Sequence, residues 1–151
     1  MADEINSRQP DRMTVSEKVL KNVIPDIRNE AFFEGMQNAD TLLYAMALGK
    51  HDQIKPELKD RVGGGYARAE SFSYRFRALI DAVHFSEIGF KDADKLRDRK
   101  TAYGLAERYA NGGFEIIEGD FNRRKSSEEI ANDLVCEMDK MYESMFGKVP
   151  Y

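Results

Sequence analysis

Apolar residues recur with helical spacing near the C-terminal end of the chain. Ile130, Leu134, Met138, Met141 and Met145 follow one another at steps of four, four, three and four residues. That is one stripe along an α-helix. Ser126 with Glu129 fits a capping box at its start, and Gly147 followed by Pro150 fits its end. The pattern predicts a helix from Ser126 to Phe146, with Val135, Tyr142 and Phe146 widening the apolar side. A second pattern runs from Leu42 to Leu48 with no polar residue inside it. A helix that is apolar all round is a buried one. Residues 39–48 are therefore predicted as the central helix, with Asn38 as N-cap, Asp40 in the first turn and Gly49 at the C′ position. Leu42, Leu43, Met46 and Leu48 are predicted to be mostly buried.

The rest of the chain divides by the same reasoning. Thr14 or Ser16 caps a short helix carrying Val19, Leu20 and Val23, which Pro25 ends or kinks. Ile27, Phe32 and Phe33 precede a break at Gly35. Ser71 or Ser73 opens a helix over roughly 74–88, with Phe76, Leu79, Ile80 and Val83 buried and Gly89 as its stop. Asp92 or Asp94 opens another, with Leu96, Ala102, Tyr103, Ala106, Tyr109 and Ala110 as its apolar face. Gly112-Gly113 ends or bends it, and 114–118 fits either helix or strand. Residues 50–73 contain Pro56 and Gly63-Gly64-Gly65 and read as a long irregular connection, with Tyr66 to Glu70 as a short extended piece. Ordered connections of that length are often functional. Residues 1–13 are polar and aperiodic and read as a disordered tail. The expected architecture is all-α: one helical domain over 14–151, a bundle of five or six helices.

Composition narrows the class. With 42% hydrophobic and 33% charged residues in 151, the chain can bury a core without covalent staples. Cys136 is the one cysteine, which excludes an intrachain disulfide framework. Its apolar neighbours predict a buried structural thiol. No apolar run approaches the roughly 20 residues of a membrane-spanning helix, and Met1 to Pro10 has no signal-peptide core. A cytoplasmic protein without membrane contact is expected. The net charge is −4, distributed as −3 over residues 1–54, +3 over 55–108 and −4 over 109–151. Proteins that bind DNA mainly by electrostatics carry a clear basic excess, so tight autonomous binding is not expected.

Candidate chemistry is sparse. The glycine triplet is followed by Tyr66-Ala67-Arg68 rather than the Lys-Ser/Thr pair of a phosphate-cradling loop, and a turn is the preferred reading. Asp81, His84 and Glu87 share one helix face at steps of three and suit a metal or an acid–base pair. His51 is the only other histidine, and the polar edge of an amphipathic helix is preferred. No G-x-S-x-G elbow occurs, and Cys136 has no evident histidine partner. No catalytic residue, metal ligand or cofactor is therefore assigned. The candidate nucleic-acid contacts are Arg75 and Arg77 at a helix start and Arg123, Arg124 and Lys125 before the last helix. Lys91, Lys95, Arg97, Arg99 and Lys100 alternate with Asp92, Asp94 and Asp98, as on a solvated, ion-paired face. The candidate interface is the last helix, at Leu134, Met138, Met141, Tyr142 and Met145, because methionines make an adaptable surface.

Three stretches together resemble a known family. They are Thr41 to Gly49 (TLLYAMALG), Arg77 to Val83 (RALIDAV) and Glu107 to Ile117 (ERYANGGFEII). Their order and spacing resemble the small dnd system-associated proteins, which accompany DNA phosphorothioation modification and restriction systems. The resemblance covers roughly residues 35–120 and leaves out the final helix. It implies a setting, bacterial or archaeal DNA modification or defence against phage, and transfers no catalytic residue.

The leading expectation is a non-enzymatic accessory or adaptor protein that binds a protein partner or its own copy, as a homodimer. The alternative is a small nucleic-acid-binding module using the basic centre, with weak, salt-sensitive affinity.

Overall fold

The computed structural model describes residues 8, 10–30, 33–123 and 127–147. Its axis is a pair of helices, α2 (Asn38–Asp52) and α5 (Arg99–Asn122). Glycine sets their separation. A Cβ on Gly49 would overlap the Tyr109 carbonyl, one on Gly113 the Ala45 carbonyl, and one on Gly112 the Ile54 carbonyl. These glycines therefore serve close backbone approach, not helix termination. Gly49 lies inside α2, which ends instead at Gln53 in the left-handed conformation, φ 57°. Gly112-Gly113 does not end α5, which runs on to Asn122, and 114–118 is helical.

The start of α2 also differs from expectation. Gln37 is the N-cap, and the Asp40 carboxylate accepts its N–H at 3.4 Å. Asn38 is used elsewhere: its side chain donates to the Tyr66 carbonyl at 2.9 Å. Leu42 and Met46 are fully buried, whereas Leu43 and Leu48 are only partly buried and Ala47 is exposed.

On this axis packs α3 (Tyr74–Ile88), where Ser73 accepts from the Phe76 N–H at 3.1 Å and Gly89, φ 66°, stops the helix. Phe76, Ile80 and Val83 enter the core, but Leu79 is 43% exposed. The segment after it is two helices, not one. Asp92 caps the short α4 (Ala93–Arg97), and Asp98 breaks the chain to cap α5 by accepting from the Thr101 N–H at 3.1 Å. Ala102, Tyr103, Ala106, Tyr109 and Ala110 are all buried as expected.

The N-terminal segment is tied to α5 by buried polar side chains. Glu107 accepts the Thr14 N–H at 2.9 Å and pairs with Arg61. Asn111 accepts the Ser16 N–H at 2.9 Å. Burial raises the Glu107 pKa above the ordinary carboxylate value, against the pull of the Thr14 N–H and Arg61. Arg12 and Met13, in the polar stretch of the sequence, form β1 (Arg12–Met13), paired antiparallel with β2 (Ala67–Arg68). Met13 is completely buried. The chain is helical without a break over 17–28, with a π-helical turn at Val19–Val23 directly before α1 (Ile24–Arg28), so Pro25 does not end the helix. The π-turn lies where the missing Pro25 N–H interrupts the regular α-helical bonding.

The last helix, α6 (Ser127–Phe146), is present, and Gly147 leaves it at φ 80° with its N–H on the Glu143 carbonyl. Ser126 and Pro150, and the side chains of Ile130, Leu134, Met141, Met145 and Phe146, lie outside the described residues, as do Phe32 and most of the 1–9 stretch. Cys136 is exposed, not buried. Its apolar neighbours Val135 and Met138 are exposed as well, so an apolar surrounding in the sequence does not mark a buried face here. Within the described residues no helix is long and apolar enough to cross a membrane.

Candidate docking groove and polar clefts

Helix α2 carries two apolar stripes. Ala39, Leu42, Ala45, Met46 and Gly49 face the core. Leu43, Tyr44, Ala47 and Leu48, flanked by Asp40 and His51, form the second stripe and line an open groove of about 830 Å³. This explains why the sequence looked apolar all round: one stripe serves the core and the other the surface. Met36 and Leu79 extend the groove on one side, and Glu137 and Met138 of α6 form its other wall. Burial and the Asp120 carboxylate push the Tyr44 pKa up to about 12, so its hydroxyl stays protonated. Val135, Met138 and Tyr142 of α6 are 55%, 59% and 51% exposed. On the opposite side of α6, Cys136 and Lys140 line a second cleft with Tyr44, Leu48, Asp120 and Arg123.

The candidate nucleic-acid residues within the described part of the chain do not share one cleft. Arg77 joins Arg12 and Arg68 around a cleft of about 560 Å³ that Asp11 and Glu70 also line. Arg123 lines the α6 cleft instead and lies 3.9 Å from Asp120. Arg75 is exposed, and Arg124 and Lys125 lie outside the described residues. Arg12 and Arg68 carried no signal in the sequence, because only strand pairing brings them beside Arg77.

Asp81, His84 and Glu87 are separated in purpose. Asp81 pairs with Arg99. Glu87 accepts from the Tyr109 hydroxyl and meets Lys55 at 2.9 Å and Lys50 at 3.4 Å. The Tyr109 hydrogen bond and Lys55 lower the Glu87 pKa to about 2, and burial with the Glu87 carboxylate raises that of Tyr109 to about 12. Both ammonium groups also lie over the Tyr109 ring, at 5.1 and 5.7 Å from its centre. His84 is 1% exposed, and burial, then Arg99, lower its pKa below the ordinary histidine value. Among the described residues no three His, Cys, Asp or Glu side chains gather as a metal site.

The geometry defines a mainly helical domain on one glycine-closed helix pair, with an apolar groove on its outer face. Residues 14–146 match the family model described as DNA sulphur modification system-associated protein 4. The chain belongs to that family. The match takes in α6 and the N-terminal segment, beyond the stretch over which the resemblance was legible. Neither the curated proteins nor the solved structures offer a match.

Proposed function

We propose that the protein is an accessory adaptor of a DNA sulphur modification system, acting in defence against phage DNA, and that its working surface is the groove between α2 and α6. The observation that carries this reading is the second apolar stripe of α2, together with the exposed Val135 and Met138 of α6. Contiguous apolar surface of this kind marks interaction sites. Charge selects the occupant. α6 carries six carboxylates and one lysine, net −5, and Glu34 and Asp40 also line the groove. A two-fold pairing through α6 would set acid against acid, so the homodimer is the disfavoured arrangement. The fitting partner is an amphipathic helix with an apolar face and basic flanks, from another protein of the same system.

The test is co-expression with the other proteins of the modification system. Capture of one of them, weakened by salt, is expected; Leu79→Glu with Met138→Glu should abolish it and Tyr74→Ser should not. Light scattering over a dilution series accompanies it. A stable dimer that captures none of the system's proteins would replace this reading with self-association.

The cleft formed by Arg12, Arg68 and Arg77 supports a second reading, contact with a DNA backbone. Its mark would be weak duplex binding that falls steeply with salt and is lost in Arg68→Glu with Arg77→Glu.

A further inference from the structure

The outer face of the β1–β2 pair gathers like charges. Arg12 stands directly opposite Arg68 in the antiparallel register, with Met13 opposite Ala67. Met13 and Ala67 are buried, so the pleat sends both arginines outward on one face. Like charges directly opposite each other in a sheet are destabilising. Arg77 of α3 adds a third cation to the same cleft, against the carboxylates of Asp11 and Glu70. Local contacts hold the three side chains without using them up. Arg12 Nη1 donates to the Gly64 carbonyl at 2.6 Å, and Arg77 Nη2 to the Ala69 carbonyl at 3.2 Å. Arg68 Nη1 lies 3.4 Å from Glu70, and both of these side chains are mostly exposed. A guanidinium has five N–H donors, so most of them stay open to a ligand. Tyr74 stands beside this cluster. It lies one turn before Arg77 on α3, and residues three apart on a helix are surface neighbours. Tyr74 is 86% exposed, and among the described residues nothing bonds its hydroxyl or packs on its ring. Phe76, Ile80 and Val83 of the same helix enter the core, so core packing accounts for them and not for Tyr74.

We propose that this surface takes an unpaired stretch of DNA, with Arg12, Arg68 and Arg77 on its phosphates and the Tyr74 ring stacked on a base. The proposal rests on the DNA-backbone reading of the same cleft and narrows it to a single strand. Planar guanidinium groups suit phosphate oxygens, which they bond in pairs. The ring decides between duplex and single strand. In a duplex the base faces are already stacked on one another, and the outside offers the ring only sugar and phosphate. An unpaired base has an open face, and stacking on an aromatic side chain covers both. Arg75, exposed next to Tyr74, adds a further cation on the path of the strand.

The experiment is fluorescence anisotropy of the full chain with labelled oligothymidine and with a labelled duplex of the same length, at low salt. Oligothymidine should bind more tightly than the duplex, and both affinities should fall steeply as salt is added. Tyr74→Ala should weaken oligothymidine binding about tenfold, the loss of one stacked base, and leave duplex binding unchanged. Tyr74→Trp, which keeps a stacking surface, should retain it. Arg68→Glu with Arg77→Glu should abolish binding of both. Tyr74 touches no core residue, so its variants should fold; circular dichroism and the thermal midpoint check all of them. Duplex binding that depends on the arginines, with oligothymidine binding unaffected by Tyr74→Ala, would overturn the single-strand site and leave the backbone contact standing. Equal weakening of both ligands by Tyr74→Ala would overturn it as well. A parent chain that binds neither would remove this proposal together with the DNA-backbone reading.

Discussion

Glycine is the residue whose meaning depends most on its neighbours here. Gly113 and Gly119 lie on the same helix, yet a Cβ at Gly113 would overlap the Ala45 carbonyl and one at Gly119 would meet nothing. The two alanine variants should therefore differ in sign. Gly113→Ala is expected to lower stability by about 1–3 kcal/mol, as overpacking does. Gly119→Ala is expected to raise it by about 0.5–1 kcal/mol, through reduced chain entropy alone. Urea unfolding of both variants reads the difference. Equal effects would mean that α2 and α5 are not held at this separation. The sequence shows these glycines plainly, but only the partner backbone tells a closing contact from a free position.

Among the elements, α6 was the most legible by pattern and the least by environment. Its range and its glycine stop agree with the spacing of its apolar residues, yet Cys136 and Met138 are exposed. The pattern gives the direction of a side chain around the helix axis, whereas burial depends on what lies opposite. Cys136 is the only cysteine of the chain, which makes a clean test. One equivalent of a thiol reagent should react with the native protein nearly as fast as with the urea-unfolded chain. Protection by a large factor would show that the sulfur is covered. Helix α4 teaches a related lesson. Asp92 and Asp98 both offer caps, and the chain uses both, so one periodic stretch becomes two helices.

Across the whole molecule, one ionic knot joins four parts of the chain. Lys50 comes from α2, Lys55 from the following connection, Glu87 from α3 and Tyr109 from α5. The Glu87 pKa lies near 2 against an ordinary value of 4.5. A carboxylate depressed in this way stabilises the fold fully above 4.5 and loses that contribution as pH falls through the window down to about 2. The group is partly exposed, so screening limits the gain to about 1 kcal/mol. Glu87→Gln should therefore be less stable than the parent at neutral pH, with the gap closing as pH falls below about 4.5. Thermal midpoints across that range measure it. A gap that persists unchanged at low pH would locate the loss in packing, not charge.

The sequence by itself determined the helical class, the approximate place of each long helix, the stops at Gly89 and Gly147, and the family resemblance. These follow from local terms: periodicity, capping and the conformations open to glycine and proline. Tertiary structure decided the rest. It turned Gly49 and Gly113 into contact points and left Leu43, Leu48 and Leu79 on an open groove. It gathered Arg12, Arg68 and Arg77 from three elements, and it left Tyr74 exposed beside them. The physical reason is common to all four. Burial, charge pairing and cavity walls are properties of residues far apart in the chain, and no local pattern encodes which of them meet.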